Sequence, residues 1–367
     1  MKFSRTLVIL VVVIIIAAAG LIAYSLLQQP ASPCTVTWKC GASYPVQVGG
    51  TFGIAGEQCV VNSSNVYCIG GVDPNGGPRS DVYAGSISAS GNITGWTQEA
   101  ASYPQDVSGA SCVGSGAYVY CVGGIHDDAG DDIASSYYAQ VTASGLAAWQ
   151  STTPYPIPVD SESCVASESH IFCIAGNNQT GGTNANSVQS NSVWFAGLYP
   201  AGIGNWSKTT PYPSSIFDPT CVAAGADAYC LGGSDSNGNP LGTTYYAALT
   251  VAGVGEWIQT TAYPLSIVGA ACSASSGYIY CVGGETSGGQ PPSFASGVYY
   301  AQASAGGLGS WKEGPAFPNT VGTSCVATSG YVYCVGGFDE SSVGVNDVVN
   351  YASLASLGQS QDPTQLH

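Results

Sequence analysis

Twelve of the fourteen cysteines in this chain stand in pairs nine positions apart, and that spacing limits the chemistry open to them. The pairs are Cys59/Cys68, Cys112/Cys121, Cys164/Cys173, Cys221/Cys230, Cys272/Cys281 and Cys325/Cys334. Zinc sites favour C-x2-4-C spacings and often recruit histidine, yet only His126, His170 and His367 are available. A cross-strand disulfide fits better. With Ser329-Gly330 as a two-residue turn, Cys325 falls opposite Cys334. Antiparallel Cα atoms there lie ~4.5 to 5.5 Å apart, and a disulfide needs roughly 4.4 to 6.8 Å. Regular pairing of this kind implies an oxidising compartment. Cys34 and Cys40 depart from the pattern, because six residues of extended chain span about 20 Å. Either the chain bends to bridge them, which is the expectation, or each meets another molecule.

Carboxylates are the other chemical resource. Each second cysteine is followed by a pair of small residues and then a variable polar loop, as in "GGVDPNGGPRSD" and "GGIHDDAGDD". These loops link equivalent strands, so they are expected on one rim, carrying Asp73, Arg79, Asp127, Asp128, Asp131, Asp132, Asp235, Asp339 and Glu340. Oxygen-rich loops are able to hold Ca²⁺, and Asp127, Asp128, Asp131 and Asp132 form the best candidate, without EF-hand spacing. The plainer reading is a solvated acidic loop, and Asp-Pro-Asn-Gly is ordinary turn chemistry. Nothing reads as a Ser-His-Asp triad, a phosphate loop or a zinc helix. Asn62, Asn92, Asn178 and Asn205 open glycosylation sequons.

The elements that position these groups form a sixfold repeat, with cysteine pairs recurring every 51 to 57 residues. Four landmarks keep one order: C-x8-C, a small pair such as Gly336-Gly337, an aromatic-Ala step such as Tyr300-Ala301, and a Trp ahead of Tyr-Pro or Phe-Pro. Each unit reads as four short strands, beginning with a tight hairpin. The first Trp–Tyr–Pro set, Trp38 with Tyr44-Pro45, precedes any cysteine hairpin, and no Trp follows Tyr351-Ala352. A ring resolves both ends at once: the N-terminal strand completes the last sheet, and closure removes exposed edges.

These residues resemble the kelch repeat of β-propellers. "YVYCVGG", the following aromatic and the Trp carry the resemblance, which covers roughly residues 36 to 354. The third unit departs, with Ala175 for the first Gly and Trp194-Phe195 at the aromatic position, and the paired cysteines are an addition. The resemblance implies an all-β, six-bladed kelch-like propeller around a channel, the first strand of each blade innermost, with ligands met by loops at one end. Some kelch propellers are copper oxidases needing two His, tyrosines and a free cysteine, a set that this chain lacks. Others are exported sugar mutarotases or epimerases, for which Arg79 with Asp81, or His126 with Asp127, would have to supply the base.

Composition sets the outer limits. Charged residues are only 8% of 367, Gly numbers 50, and the formal charge is −16; nucleic acid is excluded, since nothing would neutralise a run of phosphates. Leu7–Leu27 is uncharged and long enough to cross ~30 Å of hydrocarbon. Lys2 and Arg5 before it keep the N-terminus cytoplasmic. Ala17-Ala18-Ala19-Gly20 resembles a signal-peptidase site, but the apolar run continues past it. The expected organisation is a stub (1–6), a transmembrane signal anchor (7–27), a linker (28–35), the propeller (36–354) and a tail (355–367). Beyond the anchor four basic residues face 22 acidic ones, a formal charge of −18 that an acidic habitat would titrate. The expected function is a cell-surface binding or scaffold module for a protein or glycan. A carbohydrate-active enzyme and a structural coat component are the alternatives. No cofactor other than Ca²⁺ is implied.

Overall fold

The computed structural model describes residues 34–62, 64–126, 131–167, 169–178, 188–287, 293–317, 320–339 and 344–358. The anchor expected over Leu7–Leu27 therefore lies outside the described residues, as do Asp127, Asp128 and Glu340.

Six antiparallel sheets follow one another along the chain. Blade 1 is typical, running Gln58–Asn62, Asn65–Ile69, Val82–Ile87 and Ile93–Gln98 from the inside outwards. The second strands are buried almost throughout (Val66–Ile69 in blade 1, Val332–Val335 in blade 6), as expected where both faces of a sheet pack on neighbours. In blades 2 to 5 the outer strand is broken into two short pieces on either side of the Trp, as in Gly145–Leu146 and Gln150–Ser151.

The hairpin register is the one that the spacing dictates. Cys59 stands opposite Cys68, Cys112 opposite Cys121, Cys164 opposite Cys173, Cys221 opposite Cys230, Cys272 opposite Cys281 and Cys325 opposite Cys334. All six pairs are disulfides with Cα atoms 4.0 to 4.2 Å apart, slightly closer than the sequence estimate. Burial differs between the two cysteines of each bridge. Cys68, Cys121, Cys173, Cys230 and Cys281 are 0% exposed and Cys334 is 1% exposed, because the second strand is covered by neighbouring blades on both faces. The first cysteine of each pair instead lines the channel, where Cys272 and Cys325 are partly exposed.

Cys34 and Cys40 also bond to each other, their Cα atoms 5.3 Å apart across a bend at which Trp38 donates its N–H to Thr35 Oγ1. Seven disulfides place the propeller in an oxidising compartment. Replacing Cys112 and Cys121 together by alanine should lower the unfolding free energy by about 2.5 to 3 kcal/mol, read from urea midpoints under non-reducing conditions.

The core is distributed over the seams. Six clusters of buried side chains each join two adjacent blades. Across every seam a landmark Trp meets the landmark Tyr or Phe edge to face: Tyr103 with Trp149 at 5.0 Å, Tyr155 with Trp206 at 5.0 Å, and so round the ring. The two seams made by the N-terminal strand are no different. Lys39–Cys40 pairs with Val349–Ser353, Lys39 opposite Tyr351. Trp38 packs on Phe317 at 4.7 Å, and Tyr44 on Trp96 at 4.9 Å. The ring closes as a sixth equivalent blade.

Candidate functional site

Gln58 opens the inner strand of blade 1 opposite Ile69, the last residue of the second strand. The loops after the glycine pairs therefore open at the same end of the ring as the segments leading into the inner strands. At this end lies a cavity of about 430 Å³, walled by the beginnings of all six inner strands. A second cavity of about 280 Å³ lies further along the same strands, between side chains such as Val60, Val113 and Val222.

Superposing the repeats on their cysteines shows what distinguishes this mouth. Three residues before each first cysteine stand Gly56, Gly109, Ser161, Asp218, Gly269 and Gly322, all left-handed with φ between 51° and 67°. Four blades use glycine, for which the conformation is free; Ser161 and Asp218 hold it against a cost of order 1 kcal/mol. Substituting either by glycine should leave the fold intact and raise stability by up to about 1 kcal/mol, measured by denaturant midpoint. One position on stand Glu57, Ala110, Glu162, Pro219, Ala270 and Thr323. Two glutamates thus occupy a place that is otherwise uncharged.

Both are buried, Glu57 to 1% exposure and Glu162 to 6%. Each lies against the first glycine of the preceding blade's pair. A Cβ on Gly336 would sit 3.1 Å from Glu57 Oε1, and one on Gly123 would sit 2.8 Å from Glu162 Oε1. No carboxyl oxygen of either makes a well-formed hydrogen bond. Burial pushes Glu57 up to about 8, offset in part by its own N–H and that of Ser324. Glu162 is held well above the usual range, by burial first and by the nearby Asp160 and Asp132 next. Asp218, half-buried, is pushed up to about 6 by burial and by Asp160. Asp160 is better supported, accepting from Ser161 Oγ at 2.7 Å and Asn177 Nδ2 at 3.0 Å. Opposite, Phe338 remains 38% exposed beside Gly322 and lines the same cavity. No Lys, Arg or His stands among the described residues of this wall.

The described rim residues read from the sequence are at the same end, in several states. Asp73 accepts N–H bonds from Asn75 and Gly77, and Asp235 from Asn237 and Asn239, so each folds its own loop. Hydrogen bonds hold Asp235 below the usual carboxylate range. Arg79 donates to Asp81 through Nε at 2.8 Å and through Nη2, with Asp73 at 3.6 Å. Asp132 is buried, and Asp160 interacts with it. Asp131 accepts the N–H of His126 on its carbonyl, and Asp339 sits in a short strand opposite Gly344. Among the described residues no group of three or more His, Cys, Asp or Glu is arranged to hold a metal ion. Of the sequons, Asn205 is exposed, while Asn62 and Asn178 donate their amides to Gly116 and Pro158 carbonyls and Asn92 Oδ1 is buried.

No family model and no curated protein matches this chain. Among solved structures, one described as the structure of YjhT superposes with a TM-score of 0.67 over 84% of this chain and 95% of that one, at 12% identity. The likeness is one of fold alone. It supports the six-bladed propeller, and the kelch motif remains a resemblance.

Proposed function

We propose that this chain is a membrane-tethered, extracytoplasmic propeller that serves as a binding module for a protein or glycan, with its ligand seated at the channel mouth. The observation that carries the reading is convergence: the variable loops, the buried glutamates and the exposed Phe338 all meet at one end, around one cavity. The apolar run Leu7–Leu27 supports the tether, and seven disulfides support export. Propellers lend themselves to this use because loop changes at one end leave the seams untouched.

The test is retention of peptides and glycans from extracellular arrays by the oxidised chain from Cys34 onward, with and without Ca²⁺. Substitution of Asp218 and Phe338 should abolish retention, while substitution of the exposed Tyr199 on the third strand of blade 3 should leave it intact. A calcium-dependent signal would implicate the Asp127–Asp132 loop. Retention indifferent to the mouth substitutions would overturn the reading.

One observation favours the enzyme alternative. Asp218 lines the cavity, half-buried and with its proton affinity raised by burial, a setting suited to a general acid or base acting on a sugar. Turnover of sugars by the purified chain, abolished in Asp218→Asn, would move the assignment there.

A further inference from the structure

Four Asn-x-Ser/Thr sequons stand in this chain, at Asn62, Asn92, Asn178 and Asn205. A glycan is bulky and has to stay at the surface, so the folded structure decides which of them tolerates one. Asn62 ends the inner strand of blade 1 and donates its amide to the Gly116 carbonyl of blade 2 at 3.1 Å. Asn178 is half-buried and donates its amide to the Pro158 carbonyl. A sugar on either nitrogen would crowd the carbonyl that it faces. Asn92 closes a tight turn, with its N–H on Ser88 Oγ at 3.0 Å, its carbonyl accepting the Ser88 N–H at 2.9 Å, and its Oδ1 buried. Asn205 differs. It follows the short strand Gly202–Ile203 in blade 3 and precedes Trp206, whose ring packs on Tyr155 at 5.0 Å and whose Nε1–H donates to the Thr153 carbonyl at 3.3 Å. That inward anchor sets the register of the segment and leaves its predecessor outside. Ala148, Glu256 and Ser310, which precede Trp149, Trp257 and Trp311, are exposed in the same way. Asn205 is exposed, and its amide makes no hydrogen bond to a described residue. Ser207, which completes the sequon, is exposed in the strand Ser207–Lys208 at the outer edge of the blade, opposite Phe195.

We infer that Asn205 is an N-glycosylation site, and that it alone of the four sequons carries a glycan in the folded protein. The donor is an oligosaccharide linked through phosphate to a membrane lipid on the outer side of the membrane. In the transfer, Asn205 Nδ2 bonds to the anomeric carbon of the oligosaccharide. The bond from that carbon to the phosphate oxygen breaks, the lipid phosphate leaves with the electron pair, and one amide proton passes to a base of the transferring enzyme. The inference rests on export, which the seven disulfides support, and not on what the channel mouth binds. On the outermost strand the glycan stays clear of the channel. It covers the free edge at Ser207–Lys208, the kind of edge through which chains pair with one another.

Mass spectrometry of the full-length chain tests it, on protein isolated from the cells that naturally make it and alkylated without reduction. The peptide holding Asn205 should carry a sugar increment, and the peptides holding Asn62, Asn92 and Asn178 should have their unmodified masses. Asn205→Gln and Ser207→Ala remove the sequon at different residues. Each should lose the whole increment from the intact mass and keep the parent's melting curve, whereas Asn62→Gln should keep the increment. A bare Asn205 peptide in a chain with no cysteine alkylated overturns the inference and leaves export standing. The same bare peptide in a chain with alkylated cysteines overturns both. An increment found on another sequon with Asn205 bare, or one that survives Ser207→Ala, overturns it as well.

Discussion

Trp38→Ala should cost about 3 to 5 kcal/mol in urea unfolding, as much as any single substitution in the propeller, although Trp38 stands near the start of the described chain. Its ring is fully buried, meets Phe317 edge to face at 4.7 Å and donates its Nε1–H to the Pro315 carbonyl at 3.1 Å. The strand that it begins supplies the outer edge of blade 6, and Trp96 Nε1 in turn bonds to Ala42 O at 2.9 Å. Trp311 offers the control. It occupies the equivalent place in blade 5 with a similar bond to Thr261 O but is only half-buried, and Trp311→Ala should cost visibly less. Equal losses would mean that closure by the N-terminal strand adds nothing beyond an ordinary seam.

Stability should fall as pH rises from about 4.5 to about 8. Glu57 is protonated in the folded protein up to about 8, against an ordinary value of 4.5. Below 4.5 both folded and unfolded chains carry that proton, and the stability is fully present. Between the two values the unfolded chain releases it first, so unfolding gains. At ~1.4 kcal/mol per pH unit the loss approaches about 5 kcal/mol for Glu57 by pH 8. Glu162 acts with the same sign, and Asp218 adds a smaller contribution between 3.8 and about 6 because its side chain still meets solvent. Glu57→Gln and Glu162→Gln, neutral at every pH, should flatten the slope and leave the low-pH midpoint near that of the parent. Midpoints that climb from about pH 4.5 to about pH 8 would refute the burial argument. The expected sign agrees with the acidic habitat read from the charge balance.

The fold was legible because each landmark answers a local geometric demand. Two cysteines at nine residues need a hairpin, a Gly pair follows where the chain turns left-handed, and a Trp and Tyr-Pro meet only across a seam. Even closure was readable, since Trp38 had no hairpin of its own and Tyr351 had no following Trp. What the spacing did not reveal is how deep the staples sit: Cys173, Cys230 and Cys281 vanish from the surface only once neighbouring blades close over their strands. The site was less legible. Glu57 and Glu162 look like any other acidic residues until the six repeats are superposed, when they stand out against Ala, Pro and Thr. Asp218 and Ser161 stand out in the same way against four glycines. That signal was in the sequence, but its meaning depends on the left-handed turn that tucks the glutamates against the preceding blade. The acidic rim was visible at once, yet Asp73, Asp235 and Arg79 are largely occupied within their own loops.

Lys39 pairs with Tyr351, so the first described strand waits for the last described one. Until then blade 6 lacks its outer edge and the neighbouring seams stand open. A nascent chain halted before residue 349 presents unpaired backbone to proteases and to other chains. Synthesis of the Val349–Ser353 strand is thereby the event that lets the ring close, and quality control need inspect only one joint.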